Sequence, residues 1–309
     1  MRVGVTGATG FIGKSISRHL LRAGHEVIAL VRNTAACLAI LAEVEARPLD
    51  LSGKFDPSVL EGIDVVCHAA AHKPIAMADA VSAEICLRVN SIGTLALVEA
   101  ARAANVHSFV YLSAGNAYVP QGRPARESDP VFPVGRATYY LTSKVCGELF
   151  ALHATKNALD CVSLRISAVF GPEMGSTGLF PNTAVKLRAR EQVILADNGR
   201  YAADFVYVDD VCAAVAAAID TGATGIFNIG SGELRTVRDV AQALAIELGA
   251  DPSLVVLGAR DENAPPSFAA LDITKARREL GFRPRPFREG LKAYLVGANM
   301  AHERDLTLL

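Results

Sequence analysis

The chain has 309 residues, a formal net charge of −1 at pH 7 and 51% hydrophobic residues. The balanced charge gives no global attraction to nucleic acid or to an anionic membrane surface, and the apolar content excludes general disorder. The length predicts about two domains, and the longest apolar stretches, such as residues 211–219, are shorter than the about 20 residues that span a bilayer.

The six cysteines, at positions 37, 67, 86, 146, 161 and 212, form neither a CxxC pair nor a regular framework. This spacing predicts reduced, buried thiols rather than a zinc site or a disulfide scaffold. The Gly-rich N-terminal segment lacks the apolar core and small-residue cleavage site of an export signal. We therefore expect a cytoplasmic protein without a metal ion.

The first 170 residues alternate short β-branched runs with longer helical patterns, which predicts a parallel sheet with helices on both faces. Several strands, such as residues 26–31, are continuously apolar, as expected where both faces are covered. The predicted strands are 2–6, 26–31, 44–49, 64–69, 108–112 and 161–166, and the predicted helices are 11–23, 84–104 and 138–157.

After Gly171-Pro172 the pattern becomes irregular, because Gly and Pro interrupt it more often. The stretch 205–229 still contains a strand, a helix and a strand, which predicts one more αβ unit. The predicted strands are 192–195, 205–208 and 226–229, and the predicted helices are 182–191, 209–221, 236–248, 274–280 and 287–297.

The segment Gly7-Ala8-Thr9-Gly10-Phe11-Ile12-Gly13 follows the first predicted strand and opens a helix. Glycines at this spacing let the backbone turn sharply and approach a pyrophosphate, and the helix N-terminus offers it free N–H groups. An ordinary βα turn is the alternative, but the position between a strand and a helix favours dinucleotide binding.

These patterns predict an α/β protein, with a Rossmann-type doubly wound parallel sheet and a smaller C-terminal substrate-binding domain. Residues 1–170 and about 206–232 are assigned to the dinucleotide-binding domain. Residues about 171–205 and 233–309 are assigned to the substrate-binding domain, so the chain is expected to cross between the two more than once.

The second predicted strand ends in Leu30-Val31-Arg32-Asn33, without the Asp or Glu that binds the ribose 2′-hydroxyl of NAD. Arg32 can instead pair with a 2′-phosphate, so the sequence favours NADP slightly over NAD. The alternative is that Arg32 is a solvated surface side chain.

Tyr140 and Lys144 are four residues apart on a predicted helix and therefore share one face. A phenol has a pKa near 10, which a nearby ammonium lowers, and an oxidised nicotinamide adds positive potential. The pair can thus exchange a proton with a hydroxyl while a hydride moves at the adjacent carbon. The neighbouring Tyr139 also allows the reading that these tyrosines are core aromatics.

Together the motifs resemble the extended short-chain dehydrogenase/reductase family, in its NAD(P)-dependent epimerase/dehydratase branch. The resemblance covers almost the whole chain, in an ordered and specific set of motifs. They are Thr6–Gly13, Asp50-Leu51, His68-Ala69-Ala70-Ala71, Asn90-Ser91-Ile92-Gly93-Thr94, Tyr140 with Lys144, Leu164-Arg165 with Val169-Phe170-Gly171-Pro172, the stretch 204–211, Phe227-Asn228-Ile229-Gly230-Ser231-Gly232 and Leu280-Gly281-Phe282-Arg283-Pro284.

The resemblance implies an enzyme that binds NADP or NAD and a small-molecule substrate in a cleft between two domains. It implies Tyr140, Lys144 and Ser113 as catalytic residues and a homodimer paired through two helices. The cofactor-binding residues that it and the glycine pattern imply are Gly7, Thr9, Gly10, Phe11, Ile12, Gly13, Arg32, Asp50, Leu51, Ala69, Ala70, Ala71, Lys73, Asn90, Tyr140, Lys144 and Pro172.

The catalytic Ser or Thr of the family does not align simply with this chain. An ungapped alignment on Tyr118 places that position at Ala114, whereas reductases of the family that read Ser-Ala-Gly use the serine, here Ser113. We assign Ser113; its alternative role is a strand-end serine bound to backbone. Gly115 and Asn116 replace the Asp-Glu pair of sugar 4,6-dehydratases, so dehydration is disfavoured.

Relatives that act on nucleotide-linked sugars carry an arginine for the diphosphate before Asp204 and a second one in a Pro-rich segment. Here Ala203 precedes Asp204, the segment 261–274 has no arginine, and Ala168 stands where many relatives have Asn. Lys186, Arg188, Arg200 and Arg260 are candidate replacements.

Hydride transfer on a sugar-like, nucleotide-linked substrate, by an epimerase or a ketoreductase, is the leading prediction. The alternatives are an NADPH-dependent carbonyl reductase on a non-nucleotide substrate and a non-catalytic NAD(P)-binding regulator. His72 is either a second acid/base or a polar lining residue, and Asp209-Asp210 matches a helix cap better than a metal pair.

Overall fold

The computed structural model describes residues 1–74, 79–133, 137–154, 159–264 and 266–307. Its strands are β1 (Arg2–Thr6), β2 (Glu26–Val31), β3 (Glu45–Pro48), β4 (Val65–His68), β5 (Ser108–Ala114), β6 (Asp160–Ile166), β7 (Ala168–Phe170), β8 (Val193–Leu195), β9 (Ala202–Tyr207), β10 (Gly225–Ile229), β11 (Leu234–Thr236) and β12 (Val255–Leu257). Its α-helices are α1 (Phe11–Arg22), α2 (Thr34–Ile40), α3 (Ala80–Cys86), α4 (Gly93–Ala103), α5 (Thr138–Ala154), α6 (Leu179–Arg188), α7 (Val208–Thr221), α8 (Val237–Leu248), α9 (Thr274–Glu279) and α10 (Phe287–Thr307).

Seven of these strands form one parallel sheet in the order β10-β6-β5-β4-β1-β2-β3. Successive strand side chains point to opposite faces: Val27 and Ala29 belong to the core cluster that includes side chains of α1 and α7, whereas Ile28 and Leu30 belong to the cluster that includes side chains of α4 and α5. Both faces are therefore covered, which explains the continuously apolar strands. The predicted α/β fold with a doubly wound sheet is confirmed.

The helix predicted over 84–104 is longer and has three parts. The α-helix α3 passes into a π-helical stretch, Leu87–Ile92, and then into α4. The whole run, Ala80–Ala103, is long and apolar enough to cross a membrane by length and composition, a test that core helices of soluble proteins also pass. It packs against α5 and has Asn90 and Thr94 hydrogen-bonded in the interior. Helix α2 is an element that the sequence pattern did not predict.

The C-terminal part of the chain builds two small sheets, with the orders β11-β9-β7 and β12-β8. An aromatic cluster of Phe170, Phe180, Phe205 and Phe287 joins β7 and β9 to α6 and α10. The chain then returns through α7 to β10, which pairs with β6 in the central sheet. The expected boundary near residue 206 falls inside β9, which pairs within the small sheet rather than the central one.

Asp209 and Asp210 begin α7, and the Arg285 side chain pairs with both of their carboxylates. No group of three metal-ligating side chains occurs within the described ranges. Five of the six cysteines are buried and Cys146 is partly exposed. Buried thiols were expected, and Asp210 serves here as a partner of Arg285 at the start of a helix.

Candidate active site

The glycine-rich loop connects the carboxyl end of β1 to α1. Gly7 has φ +67°, and a Cβ built on it would lie 2.8 Å from the backbone of Ala70, beyond β4. Only glycine therefore lets these two segments approach so closely in this conformation. Helix α1 begins after Gly10 without a side-chain cap, so its first N–H groups face outward. The loop has the geometry required for binding a phosphate.

A cavity of about 540 Å³ opens at the carboxyl ends of β1, β2 and β4. It brings together many of the predicted cofactor-binding residues, because parallel strands end at one edge of a sheet. These are Gly7, Thr9, Gly10, Arg32, Asp50, Leu51, Ala69, Ala70 and Ala71. Its wall also contains residues that sequence reasoning missed: Leu30, Ser52, Ile85 and Val89. The glycine-rich loop, the apolar walls and the polar edge of this cavity fit a dinucleotide.

The other predicted cofactor residues lie outside this cavity wall. Phe11, Ile12 and Gly13 form the first turn of α1, directly after the loop. The Lys73 side chain is exposed. Pro172 is half-buried against α10, where a Cβ on Gly297 would lie 2.3 Å from its ring.

Arg32 and Asp50 both line the cavity, and both are exposed. Asp50 accepts hydrogen bonds from the backbone N–H (2.9 Å) and hydroxyl (2.8 Å) of Ser52. These bonds, followed by the charge of Arg32, lower the pKa of the Asp50 carboxyl. A second cavity of about 540 Å³ shares Arg32 and Asp50 with the first and is also lined by Lys54 and Asp56.

A buried hydrogen-bond chain links the glycine loop to the central helix. The Thr6 hydroxyl lies 2.7 Å from His68 Nδ1 and accepts from the Ala70 N–H at 3.0 Å. His68 Nε2 lies 2.9 Å from the Thr94 hydroxyl, which donates to the Asn90 carbonyl. Burial, and then the charge of Lys144, hold the pKa of His68 well below its usual value. His68 is thus a neutral connector, and its sequence signals were its place at the end of an apolar strand and in the motif His68-Ala69-Ala70-Ala71.

Asn90 links the loop after β4 to α5, the helix that carries Tyr140 and Lys144. Its Oδ1 accepts from the His72 N–H at 2.7 Å, and its Nδ2 donates to the His72 carbonyl and to the Ser143 hydroxyl, both at 2.9 Å. Asn90 is buried in the π-helical stretch, a feature that often marks functional sites. The backbone of His72, rather than its ring, makes these contacts.

Tyr140 and Lys144 lie on α5, four residues apart, as predicted. Lys144 is 3% exposed, and burial, opposed by the charge of Glu148, lowers its pKa to about 7. Burial, followed by the proximity of Cys86, raises the pKa of Tyr140 to about 12. The phenol pKa of Tyr140 is thus raised rather than lowered as expected beside Lys144, because burial disfavours the charged phenolate.

Strand alternation separates Ser113 from Ala114. Strand β5 continues two residues beyond its predicted end, and its Phe109 and Tyr111 side chains pack on the face covered by α4 and α5. Because side chains alternate along a strand, Ser113 lies on the same face of β5 as Tyr111 and points towards α5, whereas Ala114 points to the opposite face. The Ser113 hydroxyl is buried and has no hydrogen-bond partner among the described residues. Ser108 Oγ and Asn116 Oδ1 are unpartnered in the same way, and a buried polar atom without a partner is costly and requires an explanation, such as a ligand or a catalytic role.

A buried ion pair between Glu148 of α5 and Arg165 of β6 stabilises the helix that carries Tyr140 and Lys144. Glu148, one turn after Lys144, accepts from Arg165 at 2.6 Å and from the Ser163 hydroxyl at 2.7 Å. Arg165 also donates to the Tyr118 hydroxyl at 2.7 Å, and Tyr118 donates to Asn228. The network ties α5 to β6, β10 and the segment after β5.

The three alanines that depart from the family pattern occupy well-defined places. Ala203 is buried in β9, Ala168 begins β7, and Ala114 ends β5. Gly115 and Asn116 form a short 3₁₀ turn after β5 and present no carboxylate. The candidate replacement cations Lys186, Arg188, Arg200 and Arg260 have exposed side chains.

A model of the NAD dependent epimerase/dehydratase family matches residues 3–230, and the chain belongs to this family. UDP-glucose 4-epimerase of Mycolicibacterium smegmatis is 31% identical over 313 residues, covering 92% of this chain and 94% of the relative. A dTDP-4-dehydro-6-deoxy-D-allose reductase of Streptomyces bikiniensis is 29% identical and covers 93% of each chain. The crystal structure of DesIV, a dTDP-glucose 4,6-dehydratase of Streptomyces venezuelae with NAD bound, has a TM-score of 0.82 at 28% identity and covers 97% of each chain.

These similarities confirm the predicted family and the predicted class, an NAD-dependent enzyme of the epimerase and reductase type. The relatives act on nucleotide-linked sugars by name, through epimerisation, reduction or dehydration. Neither a non-nucleotide substrate nor a non-catalytic regulator is favoured by them. The relatives point to small-molecule ligands and give no indication of a nucleic acid or membrane partner.

Proposed function

We propose that the chain is an NAD(P)-dependent epimerase or ketoreductase that acts at a carbinol or ketone carbon of a sugar-like, nucleotide-linked substrate. The observation that carries this proposal is the buried, unpartnered Ser113 hydroxyl on the sheet face that packs against the helix of Tyr140 and Lys144. The dinucleotide-sized cavity opens at the same edge of the parallel sheet.

In this proposal Tyr140 exchanges a proton with the reacting oxygen and Ser113 donates a hydrogen bond to it. Lys144 supplies positive charge beside the phenol. Bound NAD(P) supplies the hydride donor or acceptor. Because the phenol pKa is about 12 without the cofactor, Tyr140 is protonated at neutral pH and is ready to protonate a carbonyl oxygen.

The test of catalysis is Tyr140→Phe, with Tyr139→Phe as the matched control on the same helix. Turnover of UDP-glucose and of dTDP-linked ketosugars is followed by chromatography. We expect Tyr140→Phe to lower kcat by at least about 100-fold with NADH affinity within about 3-fold of the wild type, and Tyr139→Phe to retain activity. Full activity of Tyr140→Phe would refute the assignment.

Epimerase and reductase differ in how they hold the cofactor. An epimerase returns the same hydride and retains its nucleotide, whereas a reductase exchanges it at every turnover. Denaturing the purified protein and identifying the released nucleotide separates them. Tightly held NAD(H) near one per chain supports the epimerase, and an empty protein that binds NADPH reversibly supports the reductase.

The preference for NADP over NAD rests on Arg32, with the cavity shared by Arg32 and Lys54 as space for a 2′-phosphate. We expect Arg32→Ala to weaken NADPH binding about 10-fold or more and NADH binding less than about 3-fold. Arg47→Ala serves as the control, because Arg47 lines the same cavity but is held by Glu45 and by two carbonyls. Equal losses for both cofactors would contradict the preference.

A nucleotide-linked substrate requires a diphosphate anchor, and the chain lacks the usual arginine before Asp204. We propose that the exposed cations near the small sheets, Arg200 and Arg260 among them, supply it. Calorimetric titration with UDP and dTDP tests this. Binding that Arg200→Ala or Arg260→Ala weakens supports the proposal, and no binding at millimolar concentration favours a non-nucleotide substrate.

We also propose the division into a dinucleotide-binding domain built on the seven-stranded sheet and a substrate-binding domain built on the small sheets, which include β7 and β9, in a cytoplasmic homodimer. The helices α3 to α5 expose apolar side chains, among them Val81 at 66%, Ile92 at 57% and Leu149 at 59%. Such a face is typical of a subunit interface. Light scattering on the wild type and on Leu149→Glu tests this, because a dimer should dissociate in the variant.

A further inference from the structure

We propose that Tyr111 is a positioning residue for Lys144, whose backbone it anchors through its hydroxyl and whose ammonium it supports with its ring. Tyr111 lies on β5, directly below the catalytic helix, and is fully buried. The inference rests on the proposed function, because it concerns the lysine assigned to catalysis there.

Two separate contacts join these residues. The Tyr111 hydroxyl donates to the carbonyl oxygen of Lys144 at 2.9 Å. The Lys144 Nζ lies 4.2 Å from the centroid of the Tyr111 ring, within the about 6 Å over which a cation is attracted by an aromatic face. One side chain therefore holds both the backbone and the charged end of the lysine.

The fit around the hydroxyl is close. A Cβ built on Gly147, in the next turn of α5, would lie 2.5 Å from the Tyr111 oxygen and 2.4 Å from the Asn90 carbonyl oxygen. Because Gly147 has no side chain, α5 can pack closely against both Tyr111 and Asn90. Tyr111 has no room to move away from Lys144 without displacing the helix.

The Tyr111 ring is important for the Lys144 ammonium because of the other charged groups that surround the lysine. Glu148, on α5, is the acidic group that raises the lysine pKa, but it is already paired with Arg165 of β6. His68 of β4, 5.6 Å from the Tyr111 ring, is neutral. Tyr140 and Cys146 lie close enough to act on Tyr111, Cys86 acts on Tyr140, and burial keeps Tyr140 protonated. The aromatic face is therefore a contact that stabilises the ammonium and, unlike Glu148, is not shared with an arginine.

The experiment measures NADH affinity by fluorescence from pH 6 to 10 in the full-length protein. The variant Lys144→Met should remove the inflection that belongs to the lysine and thereby identifies that inflection. We expect Tyr111→Leu to move this inflection about one pH unit lower, whereas Tyr111→Phe, which keeps the ring, leaves its position within about 0.3 units. Phe109→Leu is the matched control, since it truncates a buried aromatic on the same strand and face.

Fluorinated phenylalanines at position 111 provide a second measurement if Tyr111→Leu does not fold. They keep the shape of the ring and weaken its attraction for cations stepwise, so the inflection should fall stepwise with them. An inflection that stays fixed across this series, moves equally in Phe109→Leu or is absent from the wild type would overturn the inference. Failure to bind any NAD(P)(H) would instead refute the proposed function.

Discussion

Replacing Asp204 with Asn should show how much one buried carboxylate contributes to the C-terminal part of the fold. Asp204 is fully buried in β9. Its Oδ1 accepts from the N–H and hydroxyl of Ser231, both at 2.7 Å, and from Ser167 at 3.4 Å. Its Oδ2 accepts from the N–H groups of Gly232 (3.0 Å) and Leu271 (3.1 Å). One side chain thus joins β9 to the loop after β10 and to the segment at residue 271.

An amide of the same shape cannot satisfy these donors. With the amide oxygen retained towards Ser231, the NH₂ group faces the N–H groups of Gly232 and Leu271, and both lose their acceptor. Each unsatisfied buried donor costs about 1–3 kcal/mol. Removal of a buried negative charge offsets part of this cost, because burial raises the pKa of Asp204. We therefore expect Asp204→Asn to lower the free energy of unfolding by about 2–4 kcal/mol.

Equilibrium unfolding in urea at pH 7 measures this difference, with far-UV circular dichroism as the probe because the chain contains no tryptophan. Asp220→Asn is the control. Its side chain is 58% exposed and its partner is His25 at 3.5 Å, so the change should stay below about 0.5 kcal/mol. A loss of less than about 1 kcal/mol in Asp204→Asn would refute the assignment of Asp204 as a structural anchor.

Three further predictions concern the site and its support. Since the Lys144 pKa falls from 10.5 to about 7 on folding, the unfolded state binds more protons between these values and stability rises with pH there. Lys144→Met should therefore stabilise the protein by about 2–5 kcal/mol at pH 6 and progressively less towards pH 10, measured in urea; a pH-independent gain would contradict this. Gly7→Ala should reduce NADH affinity at least about 10-fold through strain and contact with Ala70, whereas Gly53→Ala, in open space, should not. Glu148→Gln should cost about 2–4 kcal/mol of unfolding free energy because Arg165 keeps a buried, uncompensated charge; Glu84→Gln, in an exposed pair, is the control, and equal effects would argue against the network.

Local signals in the sequence were sufficient for the sheet and for part of the site. The alternation of strands and helices and the glycine spacing predicted the parallel sheet and its phosphate loop, because both depend on steric rules within a few residues. The four-residue spacing likewise placed Tyr140 and Lys144 on one helix. Errors occurred at element ends, in the missed helix α2 and the missed short strands β7, β11 and β12, and in the domain assignment of the strand now seen as β9, whose pairing partners are β7 and β11.

Contacts between distant residues were beyond the reach of such signals. The chain from Thr6 through His68 to Thr94, the anchoring of Asn90 on Ser143 and the position of Tyr111 below Lys144 all join separate elements. The pKa values of Tyr140 and Lys144 depend on burial, which the sequence argument from the charges of the lysine and the nicotinamide did not include, so the phenol pKa is raised where a lowering was expected.

The sequence by itself determined the family and the positions of the glycine-rich loop and of Tyr140 and Lys144 on one helix, since each depends on residue type and short-range geometry. The tertiary structure decided that Ser113, and not Ala114, faces the catalytic helix, because strand β5 continues to residue 114 and its alternation sets the side of each residue. It also decided which charges are buried and how they are compensated. Those properties arise only when elements far apart in the chain pack and exclude water between them.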